Sequence, residues 1–382
     1  MPPPDLPMSE ISLNQHVSLA DLAAWPLTDD EVTFRLTRGA TFDPGVEGVA
    51  VGLLRNSIRA GSSFHLKVAF RPIDEAGRPQ GLLEGLLGVH LLLSASSVTI
   101  EGDSDDARRM LIERVWSYIK QNEGLVGDGK RQTVVFRDPD YSIPECLRES
   151  SSARFPYPNK FKTLLARMSR NLAWSAELST LPAEESVATV LYEAALNAHE
   201  HARWDSDNGT LPPAIRGIVL EKLHFNSRDE LQRRTTLSPG LREYIARAWS
   251  EGARQVSFLA ATVTDAGIGI QHTLPPKGAE SAWDRLNRAF KSGVTRKPIV
   301  PDKGLGEGLP SIAEAALRLR AYLSVSSAEL NGFRDFTLEP PGAQDEMLVR
   351  HPIDIPKRVG TSLTVIWPVL EGRGSQGRLF QA

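Results

Sequence analysis

Apolar and polar positions begin to alternate at residue 31. EVTFRLT (31–37) and FHLKVAF (64–70) repeat with period two, as half-buried strands do; GVEGVAVGLLRNSIRAG (45–61) between them has helical spacing and ends at glycine. Strand, helix, strand is the simplest α/β unit. A further strand near VHLLLS or SVTIEGD, a helix over DARRMLIERVWSYIKQ and a strand over TVVFRD (133–138) complete a predicted first unit, 31–138. Residues 1–30 are rich in proline and polar side chains, show only a weak helical signal in SLADLAAW, and read as a flexible N-terminal arm.

Periodicity stops across 139–160, where proline and serine mark a linker. Helical spacing resumes in FKTLLARMSRNLAW (161–174) and again in LPAEESVATVLYEAALNAHEHA (181–202), where Pro182, Glu184 and Glu185 make a good helix start. Val187, Val190, Leu191, Ala194 and Ala198 define an apolar face of that second helix. Glu193, Asn197, Glu200 and His201 share another face, as three- and four-residue spacing requires. A polar stripe on so apolar a helix suggests a ligand-lined cleft, although a solvated face would explain this segment alone.

Downstream, QVSFLAATVTDAGIGI (255–270) is a long apolar strand running into Asp265, Gly267 and Gly269. After a polar loop, DKGLGEGLPSIAEAALRLR (302–320) opens a helix directly from a glycine cluster. Glycines let backbone N–H groups approach an anion, and a helix N-terminus carries partial positive charge, so this segment has the composition of a phosphate cradle. A second unit over 161–370 and a tail over 371–382 follow from these patterns. The helical segment within 226–254 reads as an insertion that contacts a partner or covers a sheet edge.

Four elements in this order resemble the GHKL ATPases, the superfamily of DNA gyrase B, the ninety-kilodalton heat-shock chaperone, histidine kinases and MutL. They are Glu193-Ala-Ala-Leu-Asn197, Asp265-Ala-Gly267-Ile-Gly269, Gly304-Leu305-Gly306-Glu-Gly308-Leu309, and Gly360-Thr361 before the strand SLTVIWP (362–368). The resemblance implies a histidine-kinase-like ATPase domain of the Bergerat fold, a helical layer on a mixed sheet. The fold class expected for the chain is therefore α/β, as an α+β two-layer sandwich preceded by a smaller α/β unit. It also implies roles. Asn197 would offer an amide oxygen to Mg²⁺, and Glu193, one turn away, would activate the attacking water. Asp265 would accept from the adenine amine with Thr361 in support, and Gly267 and Gly269 would allow close approach. Gly304, Gly306 and Gly308, in a box that includes Leu305 and Leu309, would wrap the phosphates of ATP, with Lys303 or Lys297 adding charge. His201 matches a histidine that small bacterial serine-kinase relatives carry in the same box, whereas Glu200 stands where they have a basic residue.

The first unit loosely resembles the STAS fold of anti-anti-sigma factors, a generic α/β unit being the alternative. Asp43-Pro44-Gly45 lies where such domains have a phosphorylated serine; proline cannot be phosphorylated, and Thr41 and Ser57 are the nearby hydroxyls. FKTLLARMSRNLAW contains no histidine, and His16, His65 and His90 fall in the first unit, so a histidine autokinase is not expected. His199 and His201 are two apart on a helix and point in different directions, which disfavours a shared metal.

Composition narrows the rest. The chain of 382 residues is 41% hydrophobic and 24% charged, with a formal charge of −3, which suits a globular protein and gives no basic footprint for nucleic acid or an anionic membrane. One cysteine, Cys146, excludes an internal disulfide framework and suits a cytoplasmic location. The most apolar stretch, 81–98, is interrupted by Glu84 and His90 and reads as core, not as a membrane span. The expected function is an Mg-ATP-dependent conformational switch in a cytosolic regulatory or defence system. The alternatives are a protein serine/threonine kinase of the anti-sigma type and a non-hydrolysing nucleotide-binding module. Expected partners are ATP and ADP and a protein bound through the first unit or 226–254, with a dimer left open.

Overall fold

Val256–Thr264 is buried at every position, a pattern that a strand shows when both faces of its sheet are covered. The structure, a computed structural model, describes residues 9–14, 16–26, 31–103, 106–137, 144–147, 155–172, 181–201, 215–234, 237–249, 255–291, 307–338 and 346–369. Its first part comprises β1 (Ser9–Leu13), β2 (His16–Val17), α1 (Leu19–Ala23), β3 (Glu31–Leu36), β4 (Thr41–Phe42), α2 (Val46–Ala60), β5 (Ser63–Val68), α3 (Leu86–Ser94), β6 (Ser97–Ile100) and α4 (Arg108–Gln121). Then come β7 (Leu125–Gly127), β8 (Arg131–Arg137), α5 (Pro158–Asn171), α6 (Leu181–His201), β9 (Ile215–Phe225), α7 (Arg228–Arg233), α8 (Pro239–Ala248) and β10 (Val256–Thr264). The last part holds α9 (Ile270–Thr273), α10 (Ala282–Ala289), α11 (Gly308–Arg318), β11 (Tyr322–Ser327), β12 (Leu330–Asp335), β13 (Val349–Arg350) and β14 (Thr361–Val369).

The chain is mixed α/β. β1, β3, β5 and β6 form a parallel four-stranded sheet, and an eight-stranded sheet runs β13-β12-β11-β14-β10-β9-β8-β7. All pairings in the larger sheet are antiparallel among the described residues, where a mixed sheet was expected. Strand parity assigns its two faces. Leu259, Ala261 and Val263 of β10 and Leu363, Val365 and Trp367 of β14 share a core with α5, α6, α10 and α11. The alternate residues face the other way: Phe258, Ala260 and Ile366 pack with Leu241, Tyr244 and Ile245 of α8, while Thr264, Ser362 and Thr364 lie under α2. The larger sheet is thus covered on both sides, and the two-layer sandwich of the sequence reading gains a third layer.

Local chemistry explains the helix ends. α2 stops at Gly61, in the left-handed conformation with φ +103°, whose N–H donates to the Ile58 carbonyl. α8 starts from Ser238, which caps the Leu241 N–H, with Pro239 at the first position. α10 starts at a capping box of Ser281 and Asp284.

Several expectations are corrected. Residues 9–26 are not a loose arm: β1 pairs with β3 in register from Ser9↔Val32 to Leu13↔Leu36, and Ile11, Leu13, Val17 and Leu22 are buried. VHLLLS belongs to α3, and SVTI is the strand β6. β8, expected to complete the first unit, pairs with β9 in the larger sheet. Its Val135 nonetheless packs into the core of α2 and α3, so this strand joins the two halves. The 226–254 segment covers a sheet face and not an edge, with the Tyr244 hydroxyl donating to the Arg320 and Ile366 carbonyls at 3.1 and 3.0 Å. The described part of the polar loop after Gly269, residues 270–291, contains α9 and α10, which bury Gln271, Trp283 and Leu286. Among the described residues, no helix is long and apolar enough to cross a membrane.

Candidate functional site

β10 ends by presenting Asp265 on the face that carries Val263, beneath the helical layer. β14 begins beside it. The Asp265 N–H donates to the Thr361 carbonyl at 2.9 Å, and the Thr361 N–H donates back to Asp265 Oδ1 at 3.2 Å. The Gly267 N–H donates to the same oxygen at 2.8 Å, so two backbone donors fix the carboxyl group. Gly360 makes this crossing feasible: its φ is +87°, and a Cβ there would lie 2.0 Å from the Asp265 carbonyl oxygen. Burial pushes the Asp265 carboxyl up to about 6, against the lowering effect of the Gly267 and Thr361 donors and of the Arg216 charge. It therefore titrates near neutrality.

A second layer braces this corner. Ser327 Oγ accepts from the Ile270 N–H at 2.7 Å, donates to Gln271 Oε1 at 2.8 Å and lies 3.5 Å from Thr361 Oγ1. Gln271, fully buried, returns a hydrogen bond from Nε2 to the Ser327 carbonyl at 3.1 Å. Gly269, with φ +94°, lets the chain turn against Ser327 and Ala328. Sequence reasoning missed Gln271, Ser327 and Arg216. The sequence signal was limited to a glutamine two residues after Gly269.

α6 supplies the other cluster. It packs on α5, on α11 and on β9, β10 and β14. Glu193 and Asn197, both half-buried, meet the first residue of α11, Gly308. A Cβ at 308 would sit 3.1 Å from Glu193 Oε2, 3.1 Å from Asn197 Nδ2 and 3.4 Å from Asn197 Oδ1, so glycine lets the start of α11 come close to these two side chains. Asn197 Nδ2 is buried without a hydrogen-bond partner. Such an orphan costs on the order of 1–3 kcal/mol, a sum that a bound ligand can recover. The first N–H groups of a helix also lack intrahelical partners and favour negative charge.

These side chains can hold an anion at the α11 N-terminus and a hard cation between it and Asn197, with a carboxylate in reach of a water. Among the described residues, no group of three histidine, cysteine, aspartate or glutamate side chains could hold a metal ion. That is compatible with Mg²⁺, which needs only one or two protein oxygens when phosphates and water complete its shell.

The structure brings Glu193, Asn197 and Gly308 together in one cluster, and Asp265, Gly267 and Thr361, with Gly269 alongside, in another. Leu309 packs against the helical-layer core. His201 is the last residue of α6, and its side chain lies outside the described residues, as do Lys297, Lys303, Gly304, Leu305 and Gly306. His199 packs against Phe155 with ring centroids 4.9 Å apart and ring planes tilted by 37°. Neither the protein-family models nor the curated proteins compared with the chain give a match.

Proposed function

We propose that the chain binds Mg-ATP in a Bergerat-type site between α6, α11 and the β10–β14 corner, and hydrolyses it as a nucleotide-dependent switch in a cytosolic regulatory system. The observation that carries this reading is the meeting of Glu193 and Asn197 with the glycine that opens α11, together with the unpartnered, buried Nδ2 donor of Asn197, which a phosphate oxygen would satisfy.

In this reading Asp265 accepts the adenine amine, and the Gly267 and Thr361 N–H groups hold its carboxyl plane for that contact. The phosphates lie at the α11 N-terminus, where glycine at 308 leaves the backbone bare beside Asn197 and the first N–H groups lack intrahelical partners. Asn197 holds Mg²⁺ through its amide oxygen, and the ion supplies positive charge to the phosphate oxygens. Glu193 takes a proton from the attacking water, a role worth about 10²–10⁴-fold in rate. The residue has the right chemistry in either case, since its carboxylate also orients the water before transfer.

Calorimetric titration of ATP with and without Mg²⁺, paired with phosphate release, tests the proposal. Wild type should bind and turn over. Asn197→Ala should lose the Mg²⁺-dependent part of binding, Asp265→Asn should lose binding, and Glu193→Ala should bind without turnover. Absence of nucleotide binding by wild type at millimolar concentration sinks the proposal.

A further inference from the structure

The segment 359–362 is bonded on both sides. On one side the Thr361 N–H meets Asp265 Oδ1, and the Gly360 N–H donates to the Gly267 carbonyl at 2.5 Å. On the other, the Val359 N–H donates to the Gly52 carbonyl of α2 at 3.3 Å, and Ser362 Oγ donates to the Gly45 carbonyl at 3.2 Å. Beside Asp265, Thr264 Oγ1 donates to Ser362 Oγ at 3.2 Å and so braces that same contact from β10. Thr361 is therefore a single peptide away from Ser362, and Gly360 from Val359, the two residues that bond to α2.

Contact across the sheet is close as well as polar. A Cβ on Gly48 would lie 2.1 Å from Thr264 Oγ1 and 2.5 Å from Ser362 Oγ, and one on Gly52 would lie 2.4 Å from the Val359 carbonyl oxygen. The glycines of α2 bring its bare backbone against the Thr264 and Ser362 hydroxyls and the Val359 carbonyl. Arg358, buried, ties the same segment to the β11–β12 turn by donating from Nη2 to the Leu330 carbonyl at 2.9 Å. At its far side α2 is anchored by Glu47, which accepts from the Leu87 N–H at 2.7 Å and pairs with Arg131 of β8. A displacement of 359–362 has little slack to absorb it before it reaches α2.

We propose that α2 is the intramolecular reader of the base corner: a nucleotide base held by Asp265 alters the hydrogen bonds that 359–362 makes to Gly45 and Gly52, and so alters how the first unit is held on the sheet. The proposal rests on the nucleotide reading above. It places the switch output on the face of the sheet opposite the ligand, through the base and independently of the γ-phosphate. Linkage makes the effect reciprocal, so loosening α2 changes base affinity by the same factor.

Hydrogen exchange of the full chain with and without ADP, which has the base but no γ-phosphate, tests it, alongside Ser362→Ala and calorimetry. ADP should slow exchange at 265–269 and also at 46–52. Ser362→Ala, a conservative change, should keep the protection at 265–269, lose most of that at 46–52, and shift the ADP Kd about 3- to 10-fold. If ADP binds and protects 265–269 while 46–52 is unchanged, the coupling is wrong and the nucleotide reading stands. Failure of ADP to bind at all overturns both. A Ser362→Ala protein that melts earlier but keeps its ADP Kd and its protection at 46–52 shows a purely structural contact and also overturns the coupling.

Discussion

The base corner and the α6–α11 end of the candidate site are built on opposite plans. At the base corner the carboxyl of Asp265 is fixed by two backbone donors and backed by Ser327 and Gln271, whose side chains satisfy each other and the Ile270 N–H. At the α6–α11 end Asn197 Nδ2 is buried and unpartnered, and glycine at 308 brings the bare backbone of α11 close to it. At one end the protein alone fixes the orientation of the key group, whereas at the other a buried donor is short of a partner. Preorganised groups recognise, and in the proposed function the incomplete end is where the reacting atoms and their counter-charge would enter.

The comparison can be broken by experiment, beginning with the largest effect. Glu193→Gln is expected to lower phosphate release by about 10²–10⁴-fold while ATP affinity stays within a few-fold, as steady-state turnover and calorimetry would show. Loss of affinity with unchanged turnover would instead make Glu193 a binding group. Asp265→Asn should weaken ADP by about 100-fold, since it replaces the acceptor of a charge-assisted hydrogen bond with a donor. Asn197→Ala should weaken ATP by about tenfold with Mg²⁺ present and leave Mg²⁺-free binding unaltered, which separates the two ends directly.

A smaller effect concerns pH. The raised pKa of Asp265, about 6, means that the folded protein holds this proton more tightly than the unfolded chain. Its contribution to stability is full below the ordinary carboxylate pKa and is lost as pH rises through about 6. Asp265→Asn should therefore melt a few degrees above wild type at pH 8, with the difference gone near pH 4. ADP affinity should move the other way and fall as pH drops through about 6, because the proton occupies the oxygen that the backbone donors leave to the adenine amine. An ADP affinity flat from pH 5 to 8 would remove Asp265 from base recognition. The smallest expected change is in Gly308→Ala, whose methyl meets Glu193 and Asn197 at 3.1 Å and should weaken ATP by about threefold with little change in melting temperature.

Much of this was legible because strong periodicity and chemistry coincided. The spacing of Glu193 and Asn197 on an apolar helix, the end of the apolar strand at Asp265, and the strand after Thr361 all appear in the fold as read. Other features were hidden for identifiable reasons. β1 and β2 are short and lie among prolines, and their burial comes from pairing with β3 and β4, which no local pattern announces. VHLLLS is apolar throughout, so periodicity could not tell helix from strand. The β8 pattern revealed a strand but not its sheet, since alternation is the same whichever neighbour it pairs with. Gln271 and Ser327 act through a tertiary contact between residues 56 apart in sequence, beyond the reach of any spacing argument. Gly45, Gly48 and Gly52 read as ordinary helix composition, because the groups they approach, Thr364, Thr264, Ser362 and Val359, are distant in sequence.

The two ends of the larger sheet carry one more consequence. Its outermost strands, β7 and β13, have three and two residues. Free strand edges are templates on which another chain can extend a sheet, and such short ones offer few donors and acceptors for that purpose. Both broad faces are already occupied, by α5, α6, α10 and α11 on one side and by α2, α3 and α8 on the other. Among the described residues, the larger sheet therefore offers other copies of this chain helix surfaces and side chains in place of a long strand edge to extend.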